Sequence, residues 1–293
     1  MRELRILKPI AKLEDVEALD AIVTPAKKLV VGLLSKSRTV EDVLHGTPIG
    51  HPLHPVLILV PAGAWVSAAV LDLIPGTERA ARILVGAGLL AAVPTVATGE
   101  ADWSRLHEQQ MRVGVVHAAM NLTAITLYTA SWLARRRGDD GFGKLLGFAG
   151  AAAISAGGYL GGHLSYRQAA GANHAEDVPH RFPSGWQALA PLADLPEGAL
   201  TRREVAGLPL LVYRDGAEVH VLSDVCSHLS GPLDEGELTV DAGDGPCVTC
   251  PWHGSVFALR TGEVVHGPAT APQPLFETRV TGGTVEVLLP NAG

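Results

Sequence analysis

Four long apolar segments are the feature of this sequence that most constrains its fold. They lie at roughly residues 52–74, 80–98, 113–134 and 145–166, and the last two contain no Lys, Arg, Asp or Glu. A helix needs about 20 apolar residues to cross the hydrocarbon core of a bilayer. A soluble bundle would instead show a polar stripe along each helix. We therefore predict four membrane-spanning helices, with a buried soluble bundle as the alternative.

The fourth apolar segment carries two overlapping pairs of glycines. Gly157 and Gly161 form one pair, and Gly158 and Gly162 form the other. Small residues four positions apart share one helix face and let a neighbouring helix approach closely within a membrane. We expect another helix to pack on this face.

The charge of the chain is unevenly placed. The 293 residues carry a formal net charge of -7, but residues 171–293 hold 6 basic and 16 acidic groups, a balance of -10. This asymmetry indicates two unlike modules, one apolar and one acidic. The acidity argues against a nucleic-acid-binding protein, because phosphate neutralisation needs a basic surface. Three cysteines, an odd number, do not make a disulfide framework.

The last third of the chain has the pattern of a small antiparallel β domain. Short apolar or alternating runs are separated there by Asp-Gly and Gly-Gly turns. We predict an α+β chain of two modules, in which an N-terminal four-helix transmembrane bundle precedes a small all-β domain. The predicted regions are a short-helix region at 1–50, the transmembrane domain at 51–170, a linker at 171–184 and the β domain at 185–289.

Two short helices are expected in the N-terminal region. Thr24 followed by Pro25 predicts an N-cap with proline at the first helical position. Thr39 with Asp42 predicts the cap of a second helix, which Gly46 ends.

Two short boxes of cysteine and histidine stand in the β region. The first is Cys226-Ser-His228, and the second, Cys250-Pro-Trp-His253, follows after 21 intervening residues. Two thiolates and two imidazoles can hold tetrahedral zinc. They can also hold a 2Fe-2S cluster in which one iron has two Cys ligands and the other has two His ligands. The spacing alone leaves both alternatives open.

The residues that flank the boxes favour the cluster. The first box continues as Leu-Ser-Gly-Pro-Leu and the second as Gly-Ser-Val-Phe, with Thr-Gly-Glu and Gly-Pro further on. With these motifs, the sequence closely resembles the Rieske iron-sulfur domain over residues 185–289. The resemblance implies that Cys226 and Cys250 bind one iron of a 2Fe-2S cluster. It also implies that His228 and His253 bind the other iron.

Four neighbouring positions refine the expected chemistry. Respiratory members of the Rieske family have an extra Cys in each box, and Gly231 and Trp252 stand in those places here, so no disulfide can tie the two loops. Ser255 matches the serine whose hydroxyl bonds a cluster sulfur, whereas Phe257 replaces the tyrosine of high-potential members. Hydrogen bonds to sulfur favour the reduced cluster. We expect a reduction potential between the ferredoxin and respiratory extremes.

The expected function is electron transfer. A 2Fe-2S cluster moves one electron, whereas an aromatic-ring oxygenase also needs a large domain with a mononuclear iron. The sequence ends about 40 residues after His253. We therefore expect an electron carrier or an oxidoreductase component rather than a complete oxygenase. A redox sensor or a structural zinc protein is the non-enzymatic alternative.

Histidines of the apolar module fall toward one side of the predicted bundle. Three spans could present His54, His117 and His163 to one another, as helix bundles do for haem or a metal. Haem b bound there would make the chain a subunit of a haem or quinone oxidoreductase. The alternative is that these histidines form structural hydrogen bonds at helix ends.

Motifs around these histidines carry a second resemblance. His-Pro-Leu-His-Pro and Gly-Gly-Tyr-Leu-Gly-Gly-His, with the motifs between them, resemble a bacterial four-helix membrane-domain family of unknown function over about residues 45–170. The resemblance implies a membrane location and no established activity. The fusion of such a domain with a Rieske module resembles a type common in actinobacteria.

The sequence also bears on location and partners. Basic residues near the spans are equal on both sides, and further basic residues near the N-terminus, including Arg2, Arg5 and Lys8, favour a cytoplasmic Rieske domain. The missing loop disulfide suits a reducing compartment. An export signal at Arg135-Arg136-Arg137 is the alternative. We expect a multi-pass protein of the cell membrane whose acidic module attracts a redox partner protein with a basic docking face.

Overall fold

The computed structural model describes residues 10–290, which fall into two compact units. Within these residues, the first unit comprises 10–37 and Pro52–Ala170, and the second comprises Arg38–His51 and 171–290. The N-terminal region predicted at 1–50 is therefore divided between the units. Arg2, Arg5 and Lys8 lie outside the described residues.

Eight α-helices are found in the described part of the chain. They are α1 (Asp20–Leu34), α2 (Arg38–His45), α3 (Leu53–Leu57), α4 (Leu59–Leu71), α5 (Glu78–Trp103), α6 (Glu108–Arg136), α7 (Asp140–Gly162) and α8 (Val178–Arg181). A π-helical turn, His163–Arg167, follows α7 directly.

Four helical segments among the described residues are long and apolar enough to cross a membrane. They are Leu53–Leu71, Glu78–Trp103, Glu108–Arg136 and Asp140–Arg167. The prediction of four apolar helices is confirmed. The first segment consists of α3 and α4, which meet at Ile58. Pro61 has no N–H to bond the carbonyl four residues earlier, which accounts for the interruption there.

Helix α1 begins earlier than the sequence predicts. It starts at Asp20, and Pro25 lies inside it, so the predicted start at Pro25 is wrong. The Asp20 carboxylate accepts hydrogen bonds of 2.8 and 2.6 Å from the Arg112 guanidinium of α6. This contact with a distant part of the chain stabilises the first turn, which the local cap signal did not include.

Glycines allow close packing within the helical unit. A Cβ atom at Gly157 would collide with the Asn121 side chain, and one at Gly161 would lie 3.1 Å from the His117 ring. Gly158 has no such neighbour within 4 Å. The predicted close approach therefore involves the pair Gly157 and Gly161, which faces α6.

A buried ion pair joins α6 to the end of α4. Both Arg135 Nη atoms donate to the Asp72 carboxylate, at 2.7 and 2.6 Å. The Arg135 side chain is fully buried and that of Asp72 is 2% exposed. Arg135 Nε also donates to Ser131 Oγ at 3.1 Å. One arginine of the alternative export signal is therefore held within the helical unit.

The second unit contains two antiparallel sheets. Its strands are β1 (Gln187–Pro191), β2 (Leu200–Val205), β3 (Leu208–Asp215), β4 (Glu218–Ser223), β5 (Glu237–Asp241), β6 (Gly245–Thr249), β7 (Val256–Ala258), β8 (Val264–His266), β9 (Leu275–Thr281) and β10 (Thr284–Leu288). One sheet has the order β1-β10-β9-β4-β3-β2, and the other has the order β5-β6-β7-β8. The predicted all-β fold of this module is confirmed.

The two boxes occupy loops held by this framework. The first box follows β4, and the second lies in the connection between β6 and β7, where Thr249 pairs with Val256. Leu222, Leu233 and Phe257 are fully buried and form one apolar cluster with the two box cysteines. The sheets thus fix where both loops begin and end.

The segment predicted as a linker contributes to the core of the second unit. Ala175, Val178 and Phe182 are buried and pack with the apolar residues of the six-stranded sheet. Their spacing places them on one side of the turn that contains α8. Composition alone indicated a linker here because polar residues outnumber these three.

Candidate metal centre

The two boxes share a pattern of backbone hydrogen bonds. Cys226 N donates to Gly231 O at 2.9 Å, and Ser230 N donates back to Cys226 O at 2.9 Å. In the second loop, Cys250 N donates to Ser255 O at 2.8 Å, and Gly254 N donates to Cys250 O at 3.1 Å. Each loop therefore closes through the residues four and five positions after its cysteine.

A left-handed residue completes each of these loops. Ser230 has a φ of 63° and Gly254 has a φ of 80°, and both stand four positions after the cysteine. Glycine adopts this conformation at little cost, whereas serine is less usual there. The shared hydrogen bonds and left-handed residues therefore close two loops of different sequence in the same way.

Backbone N–H groups surround the two cysteine sulfurs. The N–H groups of His228 and Leu229 lie at Cys226, and those of Trp252 and His253 lie at Cys250. Such groups stabilise negative charge on sulfur. The arrangement suits thiolates, which are the form of cysteine that binds metal.

The two thiols lie within hydrogen-bonding reach of each other, and this contact separates their acidities. The Cys226 thiol, together with the N–H groups of Trp252 and His253, lowers the pKa of Cys250 to about 7. The Cys250 sulfur, and then burial, raise the pKa of Cys226 well above its usual value. The contact therefore favours loss of one proton from the pair before the other.

Burial differs between the cysteine side and the histidine side of the site. Cys226 is 1% exposed and Cys250 is 3% exposed. His228 and His253 are half-buried, and their ring centroids lie 5.1 Å apart at an interplanar angle of 84°. The structure thus forms one buried pair from the two cysteines and one pair near the surface from the two histidines.

This pairing fits two metal ions better than one. Among residues 10–290, no three His, Cys, Asp or Glu side chains gather as a single metal ion would require. Tetrahedral zinc would need four side chains that converge on one point. A 2Fe-2S centre with two Cys and two His needs only two side chains at each iron. The donor set and its pairing therefore fit the cluster, and the zinc alternative receives no support.

A third loop connects the two boxes. Ser255 Oγ accepts a hydrogen bond of 3.0 Å from Ala269 N. Ser227 Oγ donates to Ala271 O at 2.8 Å. In the amide orientation that satisfies its neighbours, Gln273 accepts from Ser227 N at 2.7 Å. This loop links the two boxes by hydrogen bonds, in a chain where Gly231 and Trp252 exclude the disulfide.

Ser255 is the residue that the sequence predicts as a donor to a cluster sulfur. Its side chain is buried, and because its oxygen accepts from Ala269 N, its hydroxyl hydrogen is left to donate elsewhere. Sequence reasoning missed that Ser227 connects the first box to the third loop, because its hydrogen-bond partner lies 44 positions further along the chain. A polar residue inside a ligand box was the one signal that could have indicated it.

The structure gathers two of the three bundle histidines that the sequence singled out. The ring centroids of His54 and His117 lie 6.5 Å apart. His54 Nδ1 lies 2.9 Å from Thr95 O, and His117 Nδ1 lies 2.7 Å from Gly157 O. His163 is buried at the start of the π-helical turn.

These contacts favour structural hydrogen bonding over haem. Besides its Nδ1 contact, His117 Nε2 lies 2.9 Å from Asn121 Nδ2, so both ring nitrogens are engaged. A haem ligand needs one ring nitrogen for the iron. The prediction of haem b or a metal at His54, His117 and His163 therefore receives no support from the described residues.

Comparison with known proteins agrees with the two-module fold. Residues 185–279 match the Rieske [2Fe-2S] domain, and residues 50–174 match a family described as predicted membrane protein (DUF2231). The 3-phenylpropionate/cinnamic acid dioxygenase ferredoxin subunit of Escherichia coli (strain K12) is 35% identical over 102 residues. That alignment covers 35% of this chain and 92% of the relative. The chain belongs to the Rieske family.

Two further ferredoxins are similar to this Rieske protein. Ferredoxin CarAc of Metapseudomonas resinovorans is 35% identical over 103 residues, which is 35% of this chain and 92% of that protein. The solved ferredoxin of carbazole 1,9a-dioxygenase from Nocardioides aromaticivorans IC177 is 30% identical, with a TM-score of 0.33. The match covers 36% of this chain and 98% of the chain of that ferredoxin. The predicted fusion of a Rieske domain with a bacterial membrane domain is confirmed.

Proposed function

We propose that this Rieske protein is a membrane-anchored electron carrier, which passes one electron to or from a redox partner protein. The observation that carries the proposal is the pair of equivalent loops, with two cysteines buried together and two histidines near the surface. Family membership and the similar ferredoxins support electron transfer.

Each ligand residue has a distinct role in this proposal. Cys226 and Cys250 hold one iron of a 2Fe-2S cluster in the apolar interior, where surrounding side chains exclude water. His228 and His253 hold the other iron. When bound, the cluster supplies one-electron chemistry and makes or breaks no substrate bond. Ser255 donates its hydroxyl hydrogen to a cluster sulfur and thereby favours the reduced form.

The histidine edge is the proposed route for the electron. His228 and His253 are the less buried ligands, and the neighbouring Trp252 is 48% exposed. A partner can therefore approach this edge more closely than it can approach the cysteines. Net charge favours a partner with a basic docking face, because residues 171–293 carry a balance of -10.

The proposed location is the cell membrane. The four apolar helical segments and the match of residues 50–174 to a predicted membrane protein family support four spans. We place the Rieske domain in the cytoplasm, on the basic residues near the N-terminus and the absence of a loop disulfide. Val240 is 80% exposed and suits an engineered Cys label. Reaction of Val240→Cys with an impermeant thiol reagent only after cell lysis would support this orientation, and reaction in intact cells would contradict it.

The decisive experiment is spectroscopy of the detergent-purified full chain. Electron paramagnetic resonance of the reduced protein, with iron and sulfide analysis, identifies a 2Fe-2S cluster with histidine ligands. Cys226→Ser and His253→Ala should abolish this signal, whereas the matched control His54→Ala should retain it. Stoichiometric zinc without iron would overturn the proposal.

The same spectra test the alternative of a haem or quinone oxidoreductase subunit. Haem b bound to the histidines of the helical unit would add visible absorption that His117→Ala removes. We do not favour this alternative, because both nitrogens of His117 are already engaged. Haem absorption in purified membranes of cells that produce the wild-type chain would support this alternative instead.

A further inference from the structure

A short N-terminal segment belongs to the Rieske unit, although it precedes the first apolar helix in sequence. Residues 38–51 group with residues 171–290. We call residues 38–51 the strap. The strap comprises α2 and the turn after it. It lies outside the matched Rieske domain, which begins at residue 185.

Asp42 connects the strap to the end of β8. Its Oδ1 accepts a hydrogen bond of 2.9 Å from Gly267 N. Its Oδ2 lies 2.8 Å from His266 Nδ1. The sequence predicted Asp42 as part of a helix cap, and the structure instead uses both carboxylate oxygens on residues more than 220 positions away.

Arg38 connects the strap to the second box and to the loop after β8. Its Nη2 donates to Gly254 O at 2.9 Å and to Gly267 O at 3.3 Å. Gly254 directly follows the proposed ligand His253. One guanidinium therefore holds two loop carbonyls at a fixed separation.

Close packing accompanies these hydrogen bonds. A Cβ atom at Gly267 would stand 2.5 Å from Thr47 Oγ1 and 3.5 Å from His45 Cβ. His45 is 1% exposed and Glu41 is 2% exposed. The strap is thus packed against the loop at Gly267, and its fit depends on the absence of a side chain there.

Both sets of contacts lead to Ser255. Gly267 lies two residues before Ala269, whose N–H donates to Ser255 Oγ. Gly254 lies directly before Ser255 and directly after His253. A displaced strap would therefore change the orientation of the Ser255 hydroxyl from two directions.

We propose that Arg38 and Asp42 are positioning residues of the Rieske centre. Through them, the strap keeps the Ser255 hydroxyl directed at the cluster and thereby raises the reduction potential of the cluster. This inference rests on the proposed function. It assigns part of the control of the potential to residues outside the family domain.

The opposite charges of Arg38 and Asp42 separate positioning from simple electrostatics. Reduction adds negative charge to the centre, so loss of a nearby positive charge lowers the potential and loss of a negative charge raises it. A charge effect alone would shift the reduction potential in opposite directions in Arg38→Gln and Asp42→Asn. Positioning through Ser255 lowers the potential in both variants, because the hydrogen bond to sulfur weakens in each.

The test is a redox titration of the full chain in detergent, followed by electron paramagnetic resonance. We expect both variants to lower the electron affinity about threefold or more, which is about 28 mV at 59 mV per tenfold change for one electron. In a Ser255→Ala background, neither strap substitution should lower it further, because residues that act through one group are not additive.

Matched controls use charges elsewhere in the same unit. Arg203 donates to the carbonyl oxygens of Arg202 and Asp194, and Glu277 is exposed on β9. Arg203→Gln and Glu277→Gln should leave the potential within the error of the titration. Thermal unfolding of every variant reports the structural effect of the strap separately from the potential.

Two results would overturn the inference. One is a higher potential in Asp42→Asn, and the other is a full Arg38→Gln shift that persists in the Ser255→Ala background. Arg38 is exposed, so Arg38→Gln leaves the buried face of the strap intact and decides the question if Asp42→Asn does not fold. A wild-type chain without the 2Fe-2S signal would instead refute the proposed function.

Discussion

Gly231 of the first ligand loop lies directly against the indole ring of Trp252 in the second. A Cβ atom at position 231 would stand 3.2 Å from the ring and 2.8 Å from Cys250 Sγ. These are the two positions that hold the additional cysteines in respiratory members of the family. The contact between the loops is therefore retained here, with glycine and an aromatic ring in place of a covalent bond.

Gly231→Ala should impair the centre. The added methyl group is closer to Cys250 Sγ than real Cβ contacts allow, so the sulfur or the loop must move. Overpacking of this kind costs about 1–3 kcal/mol. We expect a lower iron content per chain and a lower thermal unfolding midpoint. Gly243→Ala is the matched control, since its Cβ would meet Asp241 at an ordinary 3.5 Å. Equal iron content in both variants would contradict the prediction.

The two serines of the boxes should behave differently when each is replaced by alanine. Ser227 bonds Ala271 O, so Ser227→Ala should lower the free energy of unfolding by about 0.5–1.5 kcal/mol and leave the potential almost unchanged. Ser255→Ala should lower the potential, because it removes the proposed donor to a cluster sulfur. Redox titration and thermal unfolding of both variants check this division. An unchanged potential in Ser255→Ala would rule out its proposed donor role.

The features predicted correctly from sequence are those with a local signal. The four long apolar helices follow from runs of apolar residues, and the β domain follows from alternation between turns. The Rieske family follows from the spacing and flanking residues of the two boxes, and the four ligand residues stay a prediction. Each of these signals extends over a few to about twenty residues, so no knowledge of the fold was needed.

The features that sequence analysis missed depend on partners far along the chain. Asp42 fits a local helix-cap pattern, but its partners are His266 and Gly267. The histidines of the helical unit were expected to face one another. His54 and His117 do so, but they also bond backbone carbonyls, which have no sequence signature. Long-range hydrogen bonds to backbone atoms therefore mark the limit of the prediction.

The stability of the Rieske unit should fall at mildly acidic pH in part because of His220. Burial lowers the pKa of this β4 side chain, and Arg260 adds to the effect against the opposing influence of Glu218. The folded protein thus keeps His220 neutral at pH values where the unfolded chain, with a pKa of about 6.5, binds a proton. Its contribution is complete above that pH and is lost as the pH falls toward the lowered value.

Replacement of His220 by glutamine should flatten this pH dependence. We expect the thermal unfolding midpoint of His220→Gln to change less than that of the wild type as the pH falls from neutral to below about 6.5. That value is the typical pKa of an unperturbed histidine. The control is His180→Gln, whose side chain is 72% exposed. Parallel pH curves for wild type and His220→Gln would show that this residue does not contribute.

The buried pair of Asp72 and Arg135 should be more sensitive to the loss of one partner than to the loss of both. Arg135→Ala leaves the Asp72 carboxylate buried without its cation, and Asp72→Ala leaves the guanidinium without its anion. Breaking a buried pair in this way costs about 3–5 kcal/mol, because the remaining charge is not compensated. The double variant removes both charges and should recover part of the loss.

Thermal unfolding of the full chain in detergent measures this coupling through a double-mutant cycle. The matched control is the pair of Lys144 and Glu78, whose 3.4 Å contact is partly exposed and should contribute little when broken. The cluster signal should persist in every variant that folds, since the ligands belong to the other unit. Strictly additive effects of Asp72→Ala and Arg135→Ala would show that the two charges do not stabilise each other.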